Sequence, residues 1–142
     1  MFIGRYYHTL EEKGRLSLPV EFRSQVKKWV ITRGLDGGLF LMKADDFKNN
    51  LEKLAQRTLT KKDNRDFLRL MAHDAKEVNP DKLGRITLPA YLTELVQLNK
   101  QVVVVGSYDY IEIWDQTKYH QYLDKLEQEA ETIAERLETD VN

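Results

Sequence analysis

One nine-residue pattern is written twice in this chain, and it limits the possible folds more than any other feature. Glu11-Glu12-Lys13-Gly14-Arg15-Leu16-Ser17-Leu18-Pro19 is answered 70 residues later by Asp81-Lys82-Leu83-Gly84-Arg85-Ile86-Thr87-Leu88-Pro89. Each copy reads acid, two spacers, Gly, Arg, apolar, hydroxyl, Leu, Pro. The match continues: Phe22 and Val26 are answered by Leu92 and Val96, a helical spacing behind a proline. The second copy then gains two residues and the offset becomes 72. On that offset Val30-Ile31-Thr32-Arg33-Gly34 aligns with Val102-Val103-Val104-Val105-Gly106, and Leu39-Phe40-Leu41 with Ile111-Glu112-Ile113. Phe47 aligns with Tyr119, and Leu51-Glu52-Lys53-Leu54 with Leu123-Asp124-Lys125-Leu126. An internal repeat of this kind defines the architecture. The whole chain has 142 residues, and half of that buries only a marginal core. The two halves are therefore expected to pair with each other.

Alternation and turn chemistry give the elements. Phe2 to Leu10 mixes aromatic and β-branched residues as a strand does. Glu12-Lys13-Gly14 is a turn, with glycine free to take positive φ. Arg15 to Leu18 alternates polar and apolar and is expected to return against the first strand. Pro19 opens a short helix to about Lys27. Strands at Trp29–Thr32 and Leu39–Met42 flank the hairpin turn Leu35-Asp36-Gly37-Gly38. Asp45 is expected to cap a helix through Phe47, Leu51, Leu54 and Ala55. A helix from Thr60–Asp63 through Phe67, Leu68 and Met71 has no counterpart and bridges the halves. The second half replays the plan, with strands at Ala75–Val78, up to Leu88, at Gln101–Val105 and at Tyr110–Trp114. Its last helix runs from Thr117 to about Leu137, with an apolar stripe of Leu123, Leu126, Ala130, Ile133, Ala134 and Leu137. The predicted organisation is a first half over 5–55, a helical connection over 56–74, a second half over 75–126, and an acidic helix end over 127–142.

Composition excludes much chemistry. No cysteine is present, so disulfides, thiolate nucleophiles and Cys-type zinc sites are ruled out. His8, His73 and His120 form no helical metal pair, and neither a Gly-x-Ser-x-Gly elbow nor a phosphate-binding glycine loop occurs. No enzyme activity, catalytic residue, metal or cofactor is expected. The longest aliphatic run, Val102–Val105, is far too short to cross a membrane. Met1–Arg5 lacks the apolar region of a signal peptide, and a cytoplasmic location is expected. The net charge is −1, but it is unevenly spread. Residues 1–35 carry seven basic against three acidic side chains, whereas residues 108–142 carry three against ten. A local basic surface attracts phosphate whatever the total charge.

The repeated arginine is the candidate contact. Arg15 and Arg85 each follow a Gly turn, on what is expected to be a projecting tip. A guanidinium there can chelate a phosphate or the O6/N7 edge of guanine. Lys13 and Lys82 lie in the same turns, and Arg5 belongs to the same basic N-terminal stretch. The carboxylates four residues upstream, Glu11 and Asp81, are expected to hold Arg15 and Arg85 in one rotamer. The competing reading is a purely structural ion pair. Exposed pairs contribute only about 0–1 kcal/mol, which explains the repetition poorly.

Met1-Phe2-x-Gly4, Lys13 to Pro19, Gly84 to Pro89, Ile111-Glu112-Ile113-Trp114 and the helix after it all resemble the MraZ family of bacterial transcriptional regulators. That family is built from two AbrB-like (SpoVT/AbrB) halves. The resemblance implies an α+β fold of tandem swapped-hairpin modules interlocked as a pseudo-dimer, with short helices and a long C-terminal helix. It also implies ring-shaped homo-oligomers and a nucleoid-associated repressor of its own division and cell-wall operon, binding short direct repeats in double-stranded promoter DNA. Neither a membrane nor a small-molecule substrate is implied. The family motif is Asp-x-x-x-Arg; Asp81 and Arg85 keep it, while the first copy carries Glu11 before Arg15. Two other expectations stand beside this one. The chain is an antitoxin-type module whose acidic C-terminal helix binds a protein partner, or it is a structural ring scaffold.

Overall fold

Local chemistry sets the elements, and the pairing between halves sets the fold. The computed structural model describes residues 1–140; of the predicted helix end over 127–142, the last two residues lie outside the described residues. In chain order the elements are β1 (Arg5–Thr9), β2 (Arg15–Ser17), α1 (Val20–Arg23), β3 (Trp29–Arg33), β4 (Leu39–Lys43), α2 (Ala44–Ala55) and α3 (Lys62–His73). Then come β5 (Lys76–Val78), β6 (Arg85–Thr87), α4 (Ala90–Leu95), β7 (Gln101–Gly106), β8 (Ile111–Asp115) and α5 (Gln116–Asp140). Asp45 sits inside the first turn of α2, where its charge complements the helix dipole, and makes no side-chain cap.

Six antiparallel strands form one sheet in the order β1-β7-β8-β4-β3-β5, and β2 pairs with β6 as a separate two-stranded ribbon. β2 therefore does not return against β1, as its position after a tight turn led one to expect. β1 lies on β7 of the other half, and β5 lies on β3. Both outer strands of the sheet are thus exchanged between halves, and the halves are interlocked. A half cut free loses the partner of its first strand and its half of the ribbon. This is why a 70-residue repeat unit with a marginal core is stable in the pair.

The register refines the repeat. Leu39↔Ile113 and Leu41↔Ile111 place a pseudo-twofold axis between β4 and β8, consistent with an offset of 72 there. In β3 and β7 the equivalent residues are Ile31, opposite Leu41, and Val104, opposite Ile113. That is an offset of 73, so the sequence alignment of Val30–Gly34 with Val102–Gly106 is one residue out of step. The second hairpin turn is one residue shorter than the first and restores the register. A slip of one residue in a strand exchanges its two faces, and an all-valine run carries no alternation to reveal it.

Alternation divides the sheet's side chains between two layers. Ile31, Leu41, Val102, Val104, Ile111 and Ile113 point to the main core, which the ribbon and α1 and α4 close with Leu16, Ile86, Leu18, Leu88, Phe22 and Leu92. Phe2 joins that core, edge-on to Phe22 at 5.4 Å. Each such side chain contributes about 1.5–3 kcal/mol on burial. The opposite face carries Val103, Val105 and Trp114 beneath Tyr119 and Tyr122 of α5, and α2 and α3 beside them. α3 is fixed there by the buried Thr32 hydroxyl, which donates to the Met71 carbonyl at 2.9 Å, and by the Arg33–Asp74 ion pair. The ribbon and the helices α2, α3 and α5 therefore occupy opposite sides of the sheet.

Candidate nucleic-acid interface

The ribbon is short, and its inner face is fully committed. Leu16 and Ile86 sit directly opposite each other and point into the core. Strand alternation then turns Arg15 and Ser17 outward from β2, and Arg85 and Thr87 outward from β6. Arg15 stands opposite Thr87 and Arg85 opposite Ser17. The two arginines are thus diagonal neighbours about the pseudo-twofold axis, about 7–8 Å apart at the backbone. Neither half contains this arrangement alone.

The turns that feed the ribbon differ because their acids differ in length. Asp81 Oδ1 accepts the backbone N–H of Leu83 at 2.9 Å and of Arg85 at 3.0 Å, and the Asp81 N–H donates to the Arg85 carbonyl at 2.8 Å. The short carboxylate thereby builds the turn itself. Its hydrogen bonds, the Arg85 N–H foremost, hold the Asp81 carboxyl below the usual aspartate range. Glu11 keeps only the main-chain bond, its N–H to the Arg15 carbonyl at 2.8 Å. With no carboxylate to hold it, the first turn closes as a single 3-10 turn with both Lys13 and Gly14 at positive φ. Each turn's glycine then locks the opposite half: the Leu88 N–H donates to Gly14 at 2.8 Å and the Leu18 N–H to Gly84 at 3.0 Å.

The two arginines differ in the same way. Arg85 Nε donates to Asp81 Oδ2 at 3.0 Å, and its Nη1 lies 3.5 Å from Glu11 Oε1, leaving the side chain only 19% exposed. Arg15 has no ion pair or side-chain hydrogen bond among the described residues. Glu11 therefore reaches across to Arg85 rather than back to Arg15, the partner expected from spacing. The repeat register also sets Lys82 against Glu12, and Leu83 against Lys13, so the two lysines are not equivalent. Both are exposed, and Leu83 at the second tip is 70% exposed. A cleft of about 540 Å³ beside the ribbon gathers Lys13, Arg15, Arg85 and Lys100 with Glu11 and Glu12.

Two residues escaped the sequence reading. Lys100 lies far from either motif, and only the exchange of β1 onto β7 carries it to the ribbon, where its carbonyl accepts the Leu10 N–H at 2.8 Å. Leu83 reads in the sequence only as a turn spacer. Arg5, by contrast, is not brought to the site. It starts β1 at the end away from the ribbon and faces the helical layer, its guanidinium 5.8 Å from the Tyr119 ring. Among the described residues no His, Asp and Glu group is arranged to hold a metal ion, and no helix is long and apolar enough to cross a membrane.

These features define a class: a doubled α+β chain with interlocked halves, carrying one basic two-stranded ribbon on the pseudo-twofold axis. The family described as "MraZ protein, putative antitoxin-like" matches it twice, over residues 1–70 and 71–141. The chain therefore belongs to the MraZ family. It is 40% identical over 139 residues to the "Transcriptional regulator MraZ" of Caldanaerobacter subterraneus subsp. tengcongensis, covering 97% of each chain. It is 40% identical over 138 residues to the protein of that name from Pediococcus pentosaceus, and 38% identical over 138 residues to that from Moorella thermoacetica, covering 96% of each chain in both cases.

Proposed function

We propose that this chain is a sequence-specific transcriptional regulator that represses the promoter of its own division and cell-wall operon. On this reading it sets the β2–β6 ribbon into the major groove of double-stranded DNA, in the cytoplasm at the nucleoid. One observation carries the reading: the outward face of a ribbon formed by both halves presents Arg15, Ser17, Arg85 and Thr87, with Lys13 and Lys82 in its turns. A two-stranded ribbon is one of the elements that fit the major groove, which is about 12 Å wide. The names of the relatives, which call them transcriptional regulators, agree with it.

The residues take distinct roles. Arg85 enters the groove already held by Asp81 and reads a guanine edge with little entropy to lose. Glu11, the more distant partner, gives way as DNA approaches. Arg15 is free to swing and makes the adaptable contact. Lys13, Lys82 and Lys100 bind phosphates, which sets register and contributes the salt dependence. Leu83 meets a thymine methyl or sugar.

A chain of net charge −1 binds one site weakly. Head-to-tail assembly into a ring repeats the ribbon at fixed spacing, and linked sites raise avidity by roughly 10²–10⁴. The preferred target is thus two or more short direct repeats on one face of the duplex. The test is a series of duplexes from the DNA upstream of this protein's start codon carrying one, two or three repeats, plus one with half a helical turn inserted. Affinity should rise with each repeat and fall on the insertion. Equal binding across the series, or to unrelated DNA at physiological salt, would refute the reading.

A further inference from the structure

The two halves also differ in the helical layer. Phe40, Met42, Phe47, Asn50, Leu51 and Leu54 line a cleft in the first half. Their equivalents Glu112, Trp114, Tyr119, Tyr122, Leu123 and Leu126 line a cleft in the second. In the first half α3 lies against this surface and adds Phe67 and Met71 to the lining. Among the described residues the second half has no such helix. Instead α5 runs straight on, and from Asp124 to Glu138 only Ile133 is even half-buried. The fourteen residues of α5 past Leu126 extend for about 21 Å. Leu126, Ala130, Ile133 and Leu137 recur at helical spacing along that end, Leu126 36% and Leu137 63% exposed. Glu127 and Glu131 line one side of the stripe, and Glu129 lies on the other side between Lys125 and Arg136.

The first-half cleft has the opposite rim. It holds about 400 Å³, its floor is apolar, and Lys53 and Arg57 stand at its edge with no ion pair among the described residues. One end of the chain thus offers an apolar helix with one acidic flank, and the other an apolar groove edged by Lys53 and Arg57.

We propose that the projecting end of α5 docks in the α2–α3 groove of a second copy of this chain, with Ile133 and Leu137 seated in the groove and Glu127 and Glu129 against Lys53 and Arg57. This rests on the ring reading above and names its joint. Helix and groove lie on different halves, so passed from copy to copy the contact is head to tail and closes into a ring, whereas reciprocal exchange would stop at a dimer of twice 16.7 kDa and overturn the ring. Pairing of α5 with another α5 is the competing geometry. Its apolar residues match in an antiparallel pair centred near residue 128, but this sets Glu127 of each copy against Glu129 of the other. Like charges facing each other destabilise such a pair, whereas the groove offers opposite charge. Because the ribbon lies on the other side of the sheet, a ring joined this way leaves every ribbon free.

The test uses full-length protein, sized by light scattering and sedimentation. Wild type should assemble to several times 16.7 kDa. Glu127→Lys/Glu129→Lys should reduce it to monomer, and so should Lys53→Glu/Arg57→Glu. All four positions are exposed, so circular dichroism should show intact folds. The quadruple variant, with charges exchanged, should assemble again. If assembly survives both double variants, or the quadruple variant stays monomeric, the groove is not the joint although the ring reading stands. If Glu127→Gln/Glu129→Gln assembles more tightly than wild type, α5 pairs with its own copy and the groove is overturned. A wild-type monomer at micromolar concentration sinks this inference and the ring together.

Discussion

Gly14→Ala and Gly84→Ala make the same change at equivalent positions, and the structure separates their costs. Both glycines have left-handed φ, +72° and +81°, where a Cβ costs about 1–2 kcal/mol. At Gly14 the new Cβ would stand 2.8 Å from the Leu88 carbonyl oxygen. That atom is backbone, in the peptide segment whose N–H donates back to Gly14 at 2.8 Å. Relief requires the two halves to separate there and weakens that hydrogen bond, a further 0.5–1.5 kcal/mol or so. At Gly84 the Cβ would fall 1.7 Å from Arg23 Nη1, a severe overlap but with the tip of a long side chain. Arg23 swings into solvent, where water takes over its long 3.3 Å bond to the Leu18 carbonyl at little cost. Gly14→Ala should therefore cost about 1.5–3.5 kcal/mol and Gly84→Ala about 1–2 kcal/mol. For a chain of this length the midpoints correspond to Tm losses of roughly 8 °C and 5 °C. Thermal and urea unfolding followed by circular dichroism measure the difference. A Gly84→Ala variant as unstable as Gly14→Ala would show that backbone crossing between halves does not set the cost.

Further expectations concern the charged groups. Arg85→Ala should lower Tm measurably, because it removes the cation shared by Asp81 and Glu11, while Arg15→Ala should leave Tm unchanged; equal Tm values would mean the Arg85 clamp carries no stability. Asp81→Asn retains an acceptor for the Leu83 and Arg85 N–H groups and should fold better than Asp81→Ala, while both weaken operator binding by loosening Arg85. The Asp81 carboxyl is held below its ordinary value, so its contribution is complete above the ordinary aspartate range and is lost as pH falls through the lowered value. The stability gap between wild type and Asp81→Asn should persist to lower pH than for an ordinary surface aspartate, and a gap that closes in the ordinary range contradicts the clamp. Glu112 shows the opposite sign: burial raises its carboxyl above the usual value, so its charged form costs stability at neutral pH. Glu112→Gln should stabilise the chain at pH 7 and show no difference once both chains are neutral at low pH; destabilisation at pH 7 would refute this.

The sequence reveals the repeat because its motif needs glycine, arginine and proline at fixed places, and few residues substitute for them. It reveals the strands around Ile31 and Leu41 because two short apolar runs flank the Asp36-Gly37 turn, and the repeat carries that reading to Ile111. Pairing partners are less legible. Nothing between Leu10 and Arg15 distinguishes a strand that returns on its neighbour from one that crosses to the other half. The deciding interactions, such as the Gly14 carbonyl with the Leu88 N–H, join residues more than 70 positions apart. The valine run of β7 hides its own register because both its faces are apolar. At the site, Arg15 and Arg85 are legible from the motif, but their difference is not. It arises because Asp81 is short enough to hold its own turn, while Glu11 reaches the arginine of the other half. Arg5 misleads because local charge says nothing about which face of β1 it occupies, and Lys100 joins the ribbon only through strand exchange.

The most direct test of the account is the affinity of the Arg15→Ala/Arg85→Ala double variant for its upstream DNA, measured by fluorescence anisotropy across a salt series on protein confirmed as folded and assembled like wild type. Each lost base contact is worth about 1–3 kcal/mol. The account predicts that the variant loses the preference for repeat-bearing over scrambled duplex and keeps a weak, salt-sensitive attraction through Lys13, Lys82 and Lys100. A double variant that binds the repeats as tightly and as selectively as wild type would contradict it.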